Sequence, residues 1–427
     1  MFFIKYIDMS GVAGTLIEMA AIGNQDSFLN IRPKMTLFRG SYRRITNFAW
    51  CPLEQTFIGE SVAFGSQTQV KCPRSGDLIA QCYVKANLPF LDQADCLDNM
   101  YCNGAGFSLL KNVSVNIGGQ TFDRHTGTYM YAWNKLATKP GHELGATVLQ
   151  GTHQQLLEWS NKASTTSNQG CGLNSASDVS SAATGQSLYV PLQFWFNRYY
   201  AQALPVISLQ FQEVRFNVEF SDFESLVTAE SGGPMNPPQT SGTPLNVKLV
   251  ANYVFLDTVE RRLFAVTPHE YLIDAVGIPD SDRGLEISDP NYIYSPVISN
   301  PVKEIIWCIK NKVDESVEER HHHTCALNFQ SDAHVNTGGI GASFDTFQTM
   351  QISLNGSDRL PVTPCNYFRE VVPREVHSSV PYLPWSALER DVNHIPSQGV
   401  RMPCQVYNYS FCLDPEDWKP SGSCNFS

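Results

Sequence analysis

Apolar residues in this chain recur mainly at every second position, the spacing of a strand that buries one face. In "SLYVPLQFWFN", Leu188, Val190, Leu192, Phe194 and Phe196 share one face, with Tyr189, Gln193 and Trp195 on the other. "NVSVNIGGQ" alternates Val113, Val115 and Ile117 with Asn112, Ser114 and Asn116, and Gly118-Gly119 then supplies a hairpin turn. "PVISLQFQEVRFNVEF" runs Ile207, Leu209, Phe211 and changes phase to Val214, Phe216, Val218, Phe220. Such a flip predicts a bulge or bend, because one extra residue turns every later side chain over. Helical spacing is confined to Thr128–Leu136 and Gln154–Trp159. The chain reads as all-β.

The second half repeats the first in order. "VSVNIGGQTFDR", ending at Arg124, returns as "MQISLNGSDR", ending at Arg359. "LYVPLQFWFN" from Leu188 returns as "QVYNYSFCLD" from Gln405, and "DLIAQCYVKANL" from Asp77 has a weaker counterpart in "PVKEIIWCIK" from Pro301. Echoes in one order predict a duplicated β domain. Two β-sandwiches of roughly eight strands each are the natural outcome, since stacked sheets protect their edges. A length of 427 residues also favours two cores over one. Polar Ser/Gly/Pro-rich stretches at 160–187 and 229–244 belong on a surface. The pattern restarts after Thr258–Glu270, which marks a junction.

Composition excludes several classes. The net charge of −11 argues against a nucleic-acid binder, which needs a basic stripe to neutralise phosphates. Only Arg39, Arg43 and Arg44, with Lys34 nearby, form a short basic run. Charged residues are 17% of the chain, so Ser, Thr, Asn and Gln must cover much of the surface, a dress suited to burial against partners. The 12 cysteines contain no Cys-x-x-Cys pair, so a structural zinc site has no framework. The opening "MFFIKYIDMSG" is broken by Lys5 and Asp8 and does not read as a secretory signal. Mostly free thiols and a reducing site of synthesis are expected.

The most enzyme-like stretch is "HHHTC", residues 321–325. On an extended strand His321, His323 and Cys325 share a face, so incidental zinc or nickel binding there is chemically open. Catalytic zinc needs separated ligands with oriented imidazoles, and the surrounding sequence is polar and Gly-ended, so an exposed loop is the expectation. No nucleophile elbow, phosphate loop or His-Glu-x-x-His helix is present. "NGAGFS" (103–108) reads as a loop before a strand, and His269 in "PHE" as a hydrogen-bonded structural histidine. Phe194, Trp195 and Phe196 read as packing aromatics before a sugar platform. No catalytic residue and no cofactor is expected.

"GNQDSFL…PKMTLFRGSYRRITNFA" (23–49), "LYVPLQFWFNR…ALPVISLQFQEVRF" (188–216), "VFLDTVERRLFA…HEYLI" (254–273) and "PSGSCNFS" (420–427) together resemble the major capsid proteins of nucleocytoplasmic large DNA viruses, of the algal-virus type. The resemblance implies a double jelly roll, two consecutive jelly-roll sandwiches of about eight strands. Residues 1–34 would be an N-terminal arm at the capsomer base, 35–257 the first roll, 258–270 a connector and 271–427 the second roll. Family chains begin near Met9 and continue past "PSGSCNFS", so the second roll is expected to lack its closing strands. It implies a structural protein of the virion, synthesised and assembled in the host cytoplasm, forming homotrimers that meet neighbouring capsomers. Minor capsid proteins and an inner membrane would touch the base, where Arg39, Arg43 and Arg44 are contact candidates, and nucleic acid would not be bound directly. His321, His322 and His323 would lie on an outer loop. The alternatives are a minor capsid paralogue of the same fold, or a carbohydrate-binding or zinc-dependent β-sandwich.

Overall fold

The computed structural model describes residues 9–59, 62–88, 99–142, 145, 146, 149, 187–229, 245–278, 291–309, 347–383 and 402–426, less positions 31, 41, 102, 103, 297, 299, 404 and 405. Two compact units divide the chain, Met1–Asn47 and Phe48–Ser427. In the first, α1 (Met9–Ala20) and α2 (Asn24–Asn30) precede a stretch without regular structure. Asp26 accepts a hydrogen bond from the Gly23 N–H at 3.1 Å, closing the start of α2 as a capping residue does. Period-two reading finds no helix here.

The second unit carries β1 (Phe48–Thr56), β2 (Gln67–Cys72), β3 (Leu78–Asn87), β4 (Asn99–Tyr101), β5 (Leu110–Ile117), β6 (Gln120–Thr126), β7 (Ser187–Pro191), β8 (Val214–Phe220), β9 (Val227–Ala229) and β10 (Asn246–Leu256). One sheet has the order β1-β10-β3-β7, and the other β2-β8-β5-β6, every pairing antiparallel. The chain thus alternates between two facing sheets, the wiring of a jelly roll.

Alternation decides which face is core. Val113, Val115 and Ile117 of β5 lie opposite Val218, Phe216 and Val214 of β8, and all are buried. From the other sheet Val84, Leu249, Ala251 and Tyr253 point in to meet them. Each large side chain so buried contributes about 1.5–3 kcal/mol. Cys72 and Cys82 lie within the same core.

In the second half come β11 (Glu304–Trp307), β12 (Thr349–Leu354), β13 (Ser357–Pro364), β14 (Tyr382–Leu383), β15 (Met402–Pro403) and β16 (Tyr407–Ser410). The sequence echoes become equivalent pairings. The β3–β7 pair recurs as β11–β16, and the β5–β6 hairpin as β12–β13. Even the isolated bridge Ile79↔Leu204 has a counterpart in Val302↔Cys424. Both hairpins turn through two residues with positive φ, Gly118 (61°) and Gly119 (91°) in one, Asn355 (51°) and Gly356 (76°) in the other. Asparagine tolerates that region, so Asn355 has a backbone reason to be there. The second core is aromatic, with Phe368, Tyr407 and Tyr409 packed by Trp307, Phe347 and Phe411.

Residues 206–211 turn and bend, so of the bulge or bend expected at the phase flip the chain makes a bend, ahead of β8 at Val214. Two local readings differ from the structure. The alternation from Leu188 to Phe196 outlasts β7: after Pro191 the chain makes a short helix, Trp195–Arg198, and Trp195 is buried with its neighbours. "NGAGFS" contributes α3 (Ala105–Leu109), entered at Gly104 with φ 72° and buried throughout. The helix read at Thr128–Leu136 is α4 (Gly127–Ala137), capped by the Thr126 hydroxyl accepting from Tyr129 N–H at 3.2 Å. Gln154–Trp159 lies outside the described residues.

Helix α4 packs so closely on α3 that a Cβ at Gly127 would overlap the carbonyl oxygens of Phe107 and Leu110. Gly127→Ala should therefore destabilise the chain by about 1–3 kcal/mol, the range for overpacking a core. Urea unfolding of the purified variant checks this.

Candidate assembly surfaces

The outer face of sheet β1-β10-β3-β7 carries two chemistries at its two ends. Trp50 lies opposite Val254, and Phe48 opposite Leu256, so these side chains share the outward face. Val254 packs there with Leu78, Ala80 and Ala203, while Phe48 and Trp50 stay 53% and 62% exposed. At the other end Glu54 bridges Lys85 at 2.8 Å and Lys248 at 2.7 Å. Hydrogen bonds from Lys248 and then Lys85 hold its carboxyl down to about 2. A bare aromatic pair beside a charge-paired ladder is the make-up of an interface with a dry centre and a polar rim.

A connector helix, Thr258–Val266, borders the aromatic end. Asp257 caps it by accepting from Thr258 N–H at 2.8 Å. Its inner side is fastened at three points. Arg261 pairs with buried Asp77 at 2.9 Å, and Asp77 also accepts from Leu256 N–H at 2.9 Å. The Phe264 carbonyl accepts from the Ser208 hydroxyl at 2.7 Å and meets His269 Nε2 at 2.8 Å. That spends the polar side inward and leaves Val259, Leu263 and Val266, at helical spacing, facing outward and exposed. In the separate N-terminal unit Phe28, Met35, Leu37, Phe38 and Ile45 are also exposed. Patches of this kind on a chain with few surface charges mark contacts with other molecules.

Inside the second unit the halves share a continuous junction. Val406, just before β16, is buried in the first roll's core cluster, against which Ile306 and Cys308 also pack. Ser379 N–H donates to the Leu136 carbonyl at 2.9 Å, Gln202 Nε2 to Leu272 O at 3.0 Å, and Val276 N–H to Asp123 Oδ1 at 3.1 Å. Asp123 also holds His125, 2.8 Å away and wholly buried. Burial lowers the His125 pKa against the opposing pull of Asp123, so the ring is neutral.

Of the residues singled out from sequence, Arg39, Arg43 and Arg44 are exposed in the N-terminal unit. His321, His322, His323 and Cys325 lie outside the described residues. Among the described residues no group of His, Cys, Asp and Glu could hold a metal ion, and no helix is long and apolar enough to cross a membrane. Phe194, Trp195 and Phe196 are buried and offer no stacking platform. The exposed face of the connector helix and the junction polar ties went unread, because their partners lie far apart in the chain.

Fold and surfaces define a double jelly-roll protein with a structural task. Residues 36–257 match the family described as "Major capsid protein N-terminus", and residues 260–385 that described as "Large eukaryotic DNA virus major capsid protein". The major capsid protein of Pyramimonas orientalis virus is 32% identical over 97% of this chain and 90% of its own length. That of Paramecium bursaria Chlorella virus 1 is 27% identical over 97% of this chain and 85% of its own. Among solved structures, the capsid of that chlorella virus (PBCV-1) matches with a TM-score of 0.63 at 24% identity, over 92% of this chain and 84% of the other. The Faustovirus major capsid protein matches with 0.60 at 12% identity, over 98% and 94%. The chain belongs to the major capsid proteins of large eukaryotic DNA viruses. It is a structural protein of the virion, not an enzyme.

Removing the Asp77 carboxylate would release Arg261 to solvent and leave the Leu256 N–H without its acceptor. Asp77→Ala should cost about 1.5–3 kcal/mol, the worth of a hydrogen bond to a charged group. Thermal unfolding of the variant, with hydrogen exchange over residues 256–266, reads both the loss and its location.

Proposed function

We infer that this chain is the repeating subunit of the outer shell, with three copies forming one pseudo-hexagonal capsomer. The supporting observation is the repeated pairing, β3–β7 with β5–β6 and β11–β16 with β12–β13, held together by a packed junction. Two alike rolls per chain, in a closed three-fold ring, give six similar walls around one axis. Such a prism tiles a hexagonal lattice, and its side walls bury surface against neighbouring capsomers. In this reading residues 1–34 form an arm at the base, 35–257 the first roll, 258–270 the connector and 271–427 the second roll. Arg39, Arg43 and Arg44 meet minor capsid proteins or an anionic inner membrane at the base. The histidines at 321–323 decorate the outer side, and assembly takes place in host cytoplasm.

The test is electron microscopy and sedimentation of the purified chain. Trimers, at three times the 47.6 kDa chain mass, with a hexagonal outline support the proposal. A protein that stays monomeric at shell-forming concentrations overturns it. Phe48→Glu combined with Trp50→Glu should weaken association by tenfold or more, about 1.5–3 kcal/mol per apolar side chain kept in water, with unchanged circular dichroism.

A further inference from the structure

His377 comes directly after the short helix Val372–Val376 and has a side chain with no exposed surface. Its Nε2 lies 2.9 Å from Glu304 Oε2, and its Nδ1 3.0 Å from Glu416 Oε1. Ionised carboxylates only accept hydrogen bonds, so both ring nitrogens must donate. A neutral imidazole would aim a lone pair at one of the oxygens, and the doubly protonated ring satisfies both. The three partners come from separate segments: Glu304 begins β11, Glu416 lies in the loop after β16, and His377 sits at the end of the helix.

The same segments bear on the first roll. Trp133 of α4 meets the His377 ring edge to face at 5.9 Å. The Tyr199 hydroxyl donates to the Glu416 carbonyl, and Ser379 N–H donates to Leu136 O at 2.9 Å. Ser378 donates to the Glu416 carboxylate through both its N–H and its hydroxyl. We propose that His377, by tying Glu304 to Glu416, is the positioning residue that holds the second roll in its one orientation against the first.

Among the described residues the charged groups around the ring are few. Glu304 faces it from β11, with Lys303 beside it paired to Asp274 at 2.8 Å. Glu416 faces it from the loop, flanked by Asp414 and Asp417. From the first roll come the uncharged Trp133, the Tyr129 hydroxyl, and the Arg198 guanidinium 4.1 Å from the Trp133 ring centre. Burial alone would lower the His377 pKa, and the hydrogen bonds to Glu304 and Glu416 override it, raising it to about 9. Since that lies above the unfolded value, its stabilisation is complete below about pH 6.5 and is lost as pH rises through about 9. Burial pushes Tyr129 and Tyr199 to about 12, so neither titrates in this window. For Glu416, burial raises the pKa but the bonds to His377 and Ser378 win and lower it, so its contribution is lost as pH falls through the acid range.

The experiment is the thermal midpoint of the full chain from about pH 6.5 to 8.5, below the range in which unfolded cysteine and tyrosine ionise, and it reads within one chain whether or not trimers form. Wild type should lose about 3 °C or more across this window. His377→Gln should start lower and stay flat, and Glu304→Gln with Glu416→Gln should also flatten the profile. A flat wild-type profile, or an alkaline loss retained in His377→Gln, overturns the proposal. If the variants do not fold, hydrogen exchange of wild type decides. Protection should fall between pH 7.5 and 9.5 in 129–137, 372–379 and 411–420 while β2, β5 and β8 keep theirs, and a uniform or absent change is equally fatal to the idea.

Discussion

Each sheet of the first roll depends on a strand that reaches it late. Between β1 and β3 lies β10, and between β2 and β5 lies β8. Neither sheet is continuous until those strands arrive, so β1 waits until Asn246–Leu256 to gain its partner. Ordering so distant a pair carries a loop-closure cost that grows slowly with length but delays folding strongly. The segment after β10 inherits that strand's placement: Asp257 caps the connector helix at once, and Arg261 reaches Asp77 beside the start of β3. Closing the sheet thus places the connector.

Much of this was legible because burial enforces alternation. Val113, Val115 and Ile117 told strand from loop, and Gly118-Gly119 told where the chain reverses. The duplication was legible for the same reason, since equivalent strands need equivalent patterns. Alternation misled where a core face continues after a strand ends. Phe194 and Phe196 are as buried as Leu188 and Val190, but Pro191 has already ended the ladder. The ties between the rolls left no local signal, for Glu304, His377 and Glu416 acquire meaning only when three distant segments meet.

Two buried histidines show how environment sets charge. His125 has one carboxylate, a second nitrogen with no hydrogen-bond partner among the described residues and the face of Phe194 at 4.4 Å, so burial wins and the ring is neutral. His377 has a carboxylate at each nitrogen, and the pair outweighs the burial. One histidine behaves as core, the other as an ion.

Cys72 and Cys82 sit between the two sheets, and burial pushes the Cys72 thiol up to about 12 and the Cys82 thiol well above its ordinary value. Oxidation and disulfide exchange run through the thiolate. Buried between the sheets, these sulfurs are shielded from both deprotonation and reagent. Their redox state is sealed when the late strands close the roll. Cys51, on the exposed edge strand β1, has no such shelter.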